Sequence, residues 1–101
     1  MDKPKDAEEF FLRALKQEPD DPTSLLQLGH LRYRQGKLDD ARKLVSRYNQ
    51  LLTPTPESLW LGLRIERKLG QRVAERNYAT ELRRRVPGAR ETQALQRNEF
   101  D

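Results

Sequence analysis

The stretch LLQLGHLRYRQGKLDDA, Leu25 to Ala41, decides the fold. In a polar, charge-rich chain it places a Leu-Gly pair, a second glycine seven residues on and an alanine five residues after that. Metal, phosphate and nucleophile chemistry have no use for that spacing. Two helices pressed together do. Leu25, Leu28 and the Arg32/Tyr33 pair recur at helical spacing, which puts Gly29 at the centre of a buried seam. Ala41 opens the seam of the returning helix. Small residues on both sides let two backbones approach more closely than Leu or Phe would allow. Gly36 supplies the positive φ that turns the chain between them.

Outward from this stretch the pattern repeats, as a helix–turn–helix unit. Ala7–Pro19 (AEEFFLRALKQEP) aligns with Ala41–Pro54 (ARKLVSRYNQLLTP) at a period of 34, with Ala7 on Ala41, Phe11 on Val45 and Leu15 on Asn49. A shift of 33 then puts Ala41 on Ala74, Val45 on Tyr78 and Pro54 on Pro87. The same 33 residues separate Leu28-Gly29 from Leu61-Gly62. Gly29, Ala41, Gly62 and Ala74 are therefore expected at close helix crossings. Asp21 before Pro22, and Thr55 before Pro56, read as helix caps with proline at the first helical position. Gly36, Gly70 and Gly88 follow apolar-periodic segments, where a left-handed residue ends a helix. Helices are expected near 5–18, 22–35, 38–52, 56–69, 71–86 and, short and terminal, 89–98. Helix 5–18 has no repeat partner ahead of it. Its face of Ala7, Phe11 and Ala14 is expected to be poorly covered, leading to fraying or weak self-association.

Composition agrees with thin layers rather than one thick core. The chain has 101 residues, 35% hydrophobic and 36% charged, which suits a stack of helices with a narrow apolar seam. It contains no cysteine, which removes disulfides, thiolate zinc sites and thiol catalysis but does not separate cytosol from periplasm. No apolar run approaches the ~20 residues of a membrane helix. The charged opening MDKPKD is not a signal peptide, so an exported protein would carry its signal and anchor upstream.

The net charge of +4 is uneven: Arg64 to Arg85 holds eight basic residues against three acids. Such a face is a solvated helix exterior or a docking surface for an acidic partner or anionic lipid. Nucleic acid is not expected, because interleaved aromatics and a recognition helix are missing.

These residues resemble the tetratricopeptide repeat. The middle repeat, Pro22–Leu52, matches that pattern at Leu25, Leu28, Gly29, Gly36, Ala41 and Val45. It departs at Arg32, where the family has an aromatic that Tyr33 would replace, and at Tyr48, where it has alanine. The third repeat keeps Leu61, Gly62, Ala74, Tyr78 and Pro87, with one extra residue in its turn. The resemblance implies an all-α fold of antiparallel helix–turn–helix repeats stacked in a short right-handed superhelix. It implies a single repeat domain: the second helix of one repeat (5–19), full repeats 22–54 and 55–87, and a capping helix 89–98.

A narrower resemblance rests on LLTPTPESLWLGLRIERKLGQR and YATELRRRVPGARETQ. These segments are similar to the C-terminal end of the type IV pilus biogenesis/stability proteins of the PilF/PilW pilotin type. That family implies a periplasmic protein held at the outer membrane by an upstream N-terminal lipid anchor. It would promote assembly, stability or localisation of the secretin, the ring through which the pilus passes. A cytosolic adaptor that binds a peptide or helix of another complex is the alternative; an upstream lipobox cysteine would separate the two.

Catalysis is not expected, nor is a metal or cofactor. His30 is the single histidine, without a second imidazole or clustered carboxylates at ligand spacing. Asp20-Asp21 and Asp39-Asp40 sit at helix starts, where acids favour the positive dipole end. Ser24, Ser46 and Ser58 have no paired base, and there is no phosphate-cradling glycine loop.

The family pattern implies instead a groove lined by first helices. Leu26, His30, Tyr33 and Arg34 fall on it from the middle repeat, and Leu59, Leu63, Glu66 and Arg67 from the third. The lysine-asparagine clamp of chaperone-binding members is absent, because Leu26, His30 and Arg34 occupy its places. Against the groove stands the alternative that some of these side chains cover neighbouring helices or the terminal helix. Trp60 likewise reads either as a wedge between repeats or as an exposed anchor for a partner.

Overall fold

Asp21 and Thr55, 34 residues apart, begin equivalent helices in the computed structural model, which describes residues 4–100. The Asp21 carboxylate accepts the Ser24 N–H at 3.0 Å and the Ser24 hydroxyl as well. Thr55 makes a reciprocal box: its Oγ1 accepts the Ser58 N–H at 3.1 Å while the Ser58 hydroxyl accepts the Thr55 N–H at 2.9 Å. Each satisfies donors that a helix start leaves open, and proline at the next position has no donor to satisfy. The same two helices end alike. Gly36 at φ 77° and Gly70 at φ 75° donate to Tyr33 and Arg67. The next N–H groups, of Lys37 and Gln71, reach back to the carbonyls of Arg32 and Glu66 at 2.9 Å.

Between these signals run α1 (Pro4–Gln17), α2 (Pro22–Arg34), α3 (Leu38–Leu51), α4 (Pro56–Leu69), α5 (Arg72–Arg85) and α6 (Arg90–Gln96). Among the described residues there is no strand. The helices agree with the expected ones to within about two residues at each end, the ordinary fraying range. The short turns make α2 and α3, and α4 and α5, antiparallel hairpins. The fold class is the expected all-α helix–turn–helix repeat.

The chain divides between Leu52 and Thr53 into two units. In the first, α2 packs on α3 and α1 packs on α2. Leu25, Leu28, Gly29 and Leu31 of α2 are buried, as are Ala41 and Val45 of α3. Among its residues 5–17, helix α1 contributes no fully buried one: Ala7, Phe11, Ala14 and Leu15 are half-buried, and Phe10 is 67% exposed. A polar tie supplements this thin packing. Glu8 of α1 pairs with Arg32 at 3.0 Å and accepts from Gln35 Nε2 at 2.8 Å. Arg32 thus takes the place of the family's aromatic by reaching across to α1, its side chain only 12% exposed; Tyr33 is half-buried beside it.

The second unit joins α4, α5 and α6 around Leu59, Leu63, Ala79, Leu82 and Leu95, with Trp60, Tyr78, Val86 and Phe100 at the edge. Here the structure corrects the repeat register. Caps (Asp21/Thr55), turn glycines (Gly36/Gly70) and returning helices (Leu38/Arg72) all recur at 34, so Gly62 stands where Leu28 does, not where Gly29 does. Ala74 is only half-buried. The partner of Gly62 is the Tyr78 ring: a Cβ built on Gly62 would lie 2.5, 2.7 and 2.9 Å from its Cζ, Cε1 and Cε2. The tight contact is helix backbone against aromatic face. Helix α6 closes the unit through buried Thr92, whose hydroxyl donates to the Val86 carbonyl at 2.6 Å, just past the end of α5.

Candidate protein-interaction surface

On α2, Leu26, His30, Tyr33 and Arg34 follow i, i+4, i+7 and i+8 spacing and share one face. Leu26 is buried at the base, His30 and Tyr33 are half-buried, and Arg34 is exposed. The structure brings these four together within the first unit.

On α4 the expected residues separate. Leu59 and Leu63 turn inward: Leu63 is 0% exposed, and both belong to the core shared with Ala79 and Leu82 of α5 and Leu95 of α6. They hold the unit together rather than line a groove. Glu66 is also buried. Arg67 is the one that reaches the surface. Its Nη1 pairs with Glu75 of α5 at 3.1 Å, and its guanidinium carbon stands 3.9 Å from the centre of the Phe100 ring.

Phe100 was not singled out in the sequence, because nothing local marks a residue beyond the last helix as part of a cluster. It stacks on Trp60, the ring centres 5.7 Å apart and the planes 17° from parallel. Arg64 lies 5.8 Å from the Trp60 ring. Trp60 is therefore neither a fully exposed anchor nor lost in the core; it is half-buried under the chain's own tail. The indole also borders an open depression of about 320 Å³ lined by Glu57, Trp60, Arg90, Glu91 and Ala94. Such a shallow surface suits a polypeptide better than a small metabolite, which needs enclosure.

Among the described residues no three His, Cys, Asp or Glu side chains gather as a metal site, and no helix is long and apolar enough to cross a membrane. The Gln35 hydrogen bond, with help from Arg32, holds Glu8 below the usual glutamate range.

Capped hairpins of two helices, repeated at 34 residues with glycine in each turn, define a helical-repeat scaffold that presents side chains on helix faces. The chain belongs to the tetratricopeptide repeat family, whose profile matches residues 1–57. By sequence it is 29% identical, over 95% of its length, to the type IV pilus assembly protein PilF of Pseudomonas aeruginosa strain PAO1, of which it covers 38%. A structure of Pseudomonas aeruginosa PilF superposes with a TM-score of 0.86 at 28% identity, covering 95% of this chain and 43% of that one. The crystal structure of PilW, a widely conserved type IV pilus biogenesis factor, gives a TM-score of 0.80 at 26% identity, covering 88% of this chain and 41% of that one. The chain thus spans about two fifths of the length of these relatives.

Proposed function

We propose that this chain is part of a protein-interaction scaffold for type IV pilus biogenesis, one that promotes assembly, stability or localisation of the outer-membrane secretin. The reading rests on one observation: likeness to PilF holds over 95% of the chain in both sequence and fold. The repeat architecture supports it, since helix hairpins present side chains to a polypeptide partner. In this reading residues 5–19 are the second helix of one repeat, 22–54 and 55–87 are full repeats, and 89–98 is the cap. The protein works in the periplasm, attached to the outer membrane by a lipid on an upstream segment. Its partner is a protein and not nucleic acid.

Partner contact falls on half-buried Tyr33 and exposed Arg34 of α2, with half-buried His30 beside them, and on exposed Arg67 of α4. The aromatic provides area to bury, and the arginines orient acidic or carbonyl-rich segments. Leu59 and Leu63 support α4 from below. The test is recovery of secretin from solubilised outer membranes by the protein that carries this chain, wild type against Tyr33→Ala/Arg34→Glu, with helicity matched by circular dichroism. Wild type is expected to recover secretin and the variant to recover several-fold less. No recovery by wild type overturns the scaffold reading; equal recovery by both removes α2 from the contact.

A further inference from the structure

The C-terminal tail does something that the repeat fold alone does not require. Helix α6 ends at Gln96, and Asn98 then takes a left-handed φ of 57°. Asn98 donates to Leu95 and Glu99 reaches back to the Ala94 carbonyl at 2.9 Å, the same pair of bonds that closes the two glycine turns. Asparagine tolerates this backbone better than other residues with a Cβ. The turn reverses the chain and lays Phe100 on α4.

There the ring makes two contacts. The indole of Trp60 lies nearly parallel to it at 5.7 Å, and the Arg67 guanidinium stands over it at 3.9 Å. The Glu75 carboxylate fixes that guanidinium from α5. Trp60, Arg64 and Arg67 follow i, i+4, i+7 spacing, so one ribbon of α4 supplies an aromatic face and two cations. Planar rings are received well by such a pair, by aromatic stacking and by cation–π attraction. In sequence the ring's neighbours are Glu99 and Asp101, both acidic in a chain of net charge +4.

We infer that Trp60 and Arg67 form a recognition slot for an aromatic residue set between acidic residues on a partner protein, and that Phe100 of the chain's own tail occupies it as an internal stand-in. The inference rests on the scaffold reading and specifies the chemistry of one partner segment. Its regulatory consequence is competition. A tail tethered so close to its slot has an effective concentration on the order of millimolar. A partner segment of equal intrinsic strength is therefore mostly excluded until the tail is displaced.

Trp60 is the chain's only tryptophan, so its emission reports the slot directly. The full chain is titrated with the acetylated peptide Arg-Asn-Glu-Phe-Asp and with a control peptide carrying Ala for Phe. Wild type, Phe100→Ala and Phe100→Leu are compared, the leucine variant filling the core edge without a stacking ring. Helicity is checked by circular dichroism. Both variants are expected to bind the Phe peptide at least tenfold more tightly than wild type and to ignore the Ala peptide. Arg67→Gln on the Phe100→Leu background is expected to weaken that binding several-fold. Absence of Phe-dependent emission change in a helical Phe100→Leu variant, or equal titration of variant and wild type, overturns the slot. A wild-type dimer that Phe100→Leu dissociates would assign the occupant to a second copy and overturn the partner assignment. Either failure leaves the scaffold reading standing, because that is read from secretin recovery by wild type.

Discussion

Replacing Gly62 with alanine sets two effects of opposite sign against each other. Within a helix interior the change removes glycine's backbone entropy cost and by itself stabilises by about 0.5–1 kcal/mol. The new methyl, however, would stand 2.5–2.9 Å from three carbons of the Tyr78 ring, where carbons at rest keep about 3.5–4 Å. The ring cannot fold away as a flexible chain could. It is planar, carried by α5, and packed against the Leu59/Leu63/Leu82 core. Relief requires α4 and α5 to separate or the ring to leave its place, an overpacking cost of about 1–3 kcal/mol. The clash wins, and Gly62→Ala is expected to lose about 1 kcal/mol net, a fall of roughly 4–8 °C in Tm for a chain of this size. Urea denaturation at unchanged m measures it. The decisive arm is the Tyr78→Ala background. With the ring gone, the same substitution should stabilise by about 0.5–1 kcal/mol, so its sign inverts and the coupling reveals the contact. A Gly62→Ala protein as stable as wild type, or one that loses stability equally in both backgrounds, would refute the wedge between α4 and this ring.

The remaining expectations concern caps, turns and one ion pair. Asp21→Ala removes the acceptor for the Ser24 N–H and should cost about 1 kcal/mol by chemical denaturation; no loss would mean the cap is replaced by water. Gly70→Ala meets no atom within 4 Å but must adopt φ 75°, a cost of about 1–2 kcal/mol that should be the same with or without Tyr78. Thr92→Val deletes the hydroxyl donor to Val86 and should cost about 1 kcal/mol; an unchanged midpoint would show that α6 is held by Leu95 alone. Glu8 has its folded pKa lowered by Gln35 and Arg32. Its contribution is present above the ordinary glutamate range and is lost as pH falls through the folded value. Amide protection in α1 should therefore decline on acidification before that of α3, and Glu8→Gln should abolish the difference; equal decline in wild type would refute the tie.

Local signals account for what was legible in the residues themselves. A cap needs one side chain and the amide three residues on, so Asp21 and Thr55 announce their helices without reference to anything distant. A left-handed turn needs a residue without a Cβ penalty, so Gly36 and Gly70 announce the ends. Gly88 carries the same local signal but lacks a positive φ: α5 ends at Arg85 with Val86 as its C-cap at φ −138° and ψ 61°, and the Ala89 N–H returns to the Val86 carbonyl. Periodicity between these points was enough to define the helices and, with the Leu-Gly pattern, the repeat family.

What lies across a helix was decided elsewhere. A hydrophobic position at helical spacing reads the same whether a groove or a neighbouring helix faces it, and for Leu59 and Leu63 the packing of α5 and α6 chose the core. A glycine in a seam reads the same whether alanine or an aromatic ring fills the space opposite. Gly62 received Tyr78 because the helices repeat at 34 rather than at the 33 that matching small residues suggests. Phe100 gained its place only because the turn at Asn98 carries it back to Trp60 and Arg67, some 40 and 33 residues earlier in the chain. Hydrogen bonds within a turn are set by residues that are neighbours in sequence; burial is set by whichever surface arrives from far along the chain, and only the assembled helices determine which one arrives.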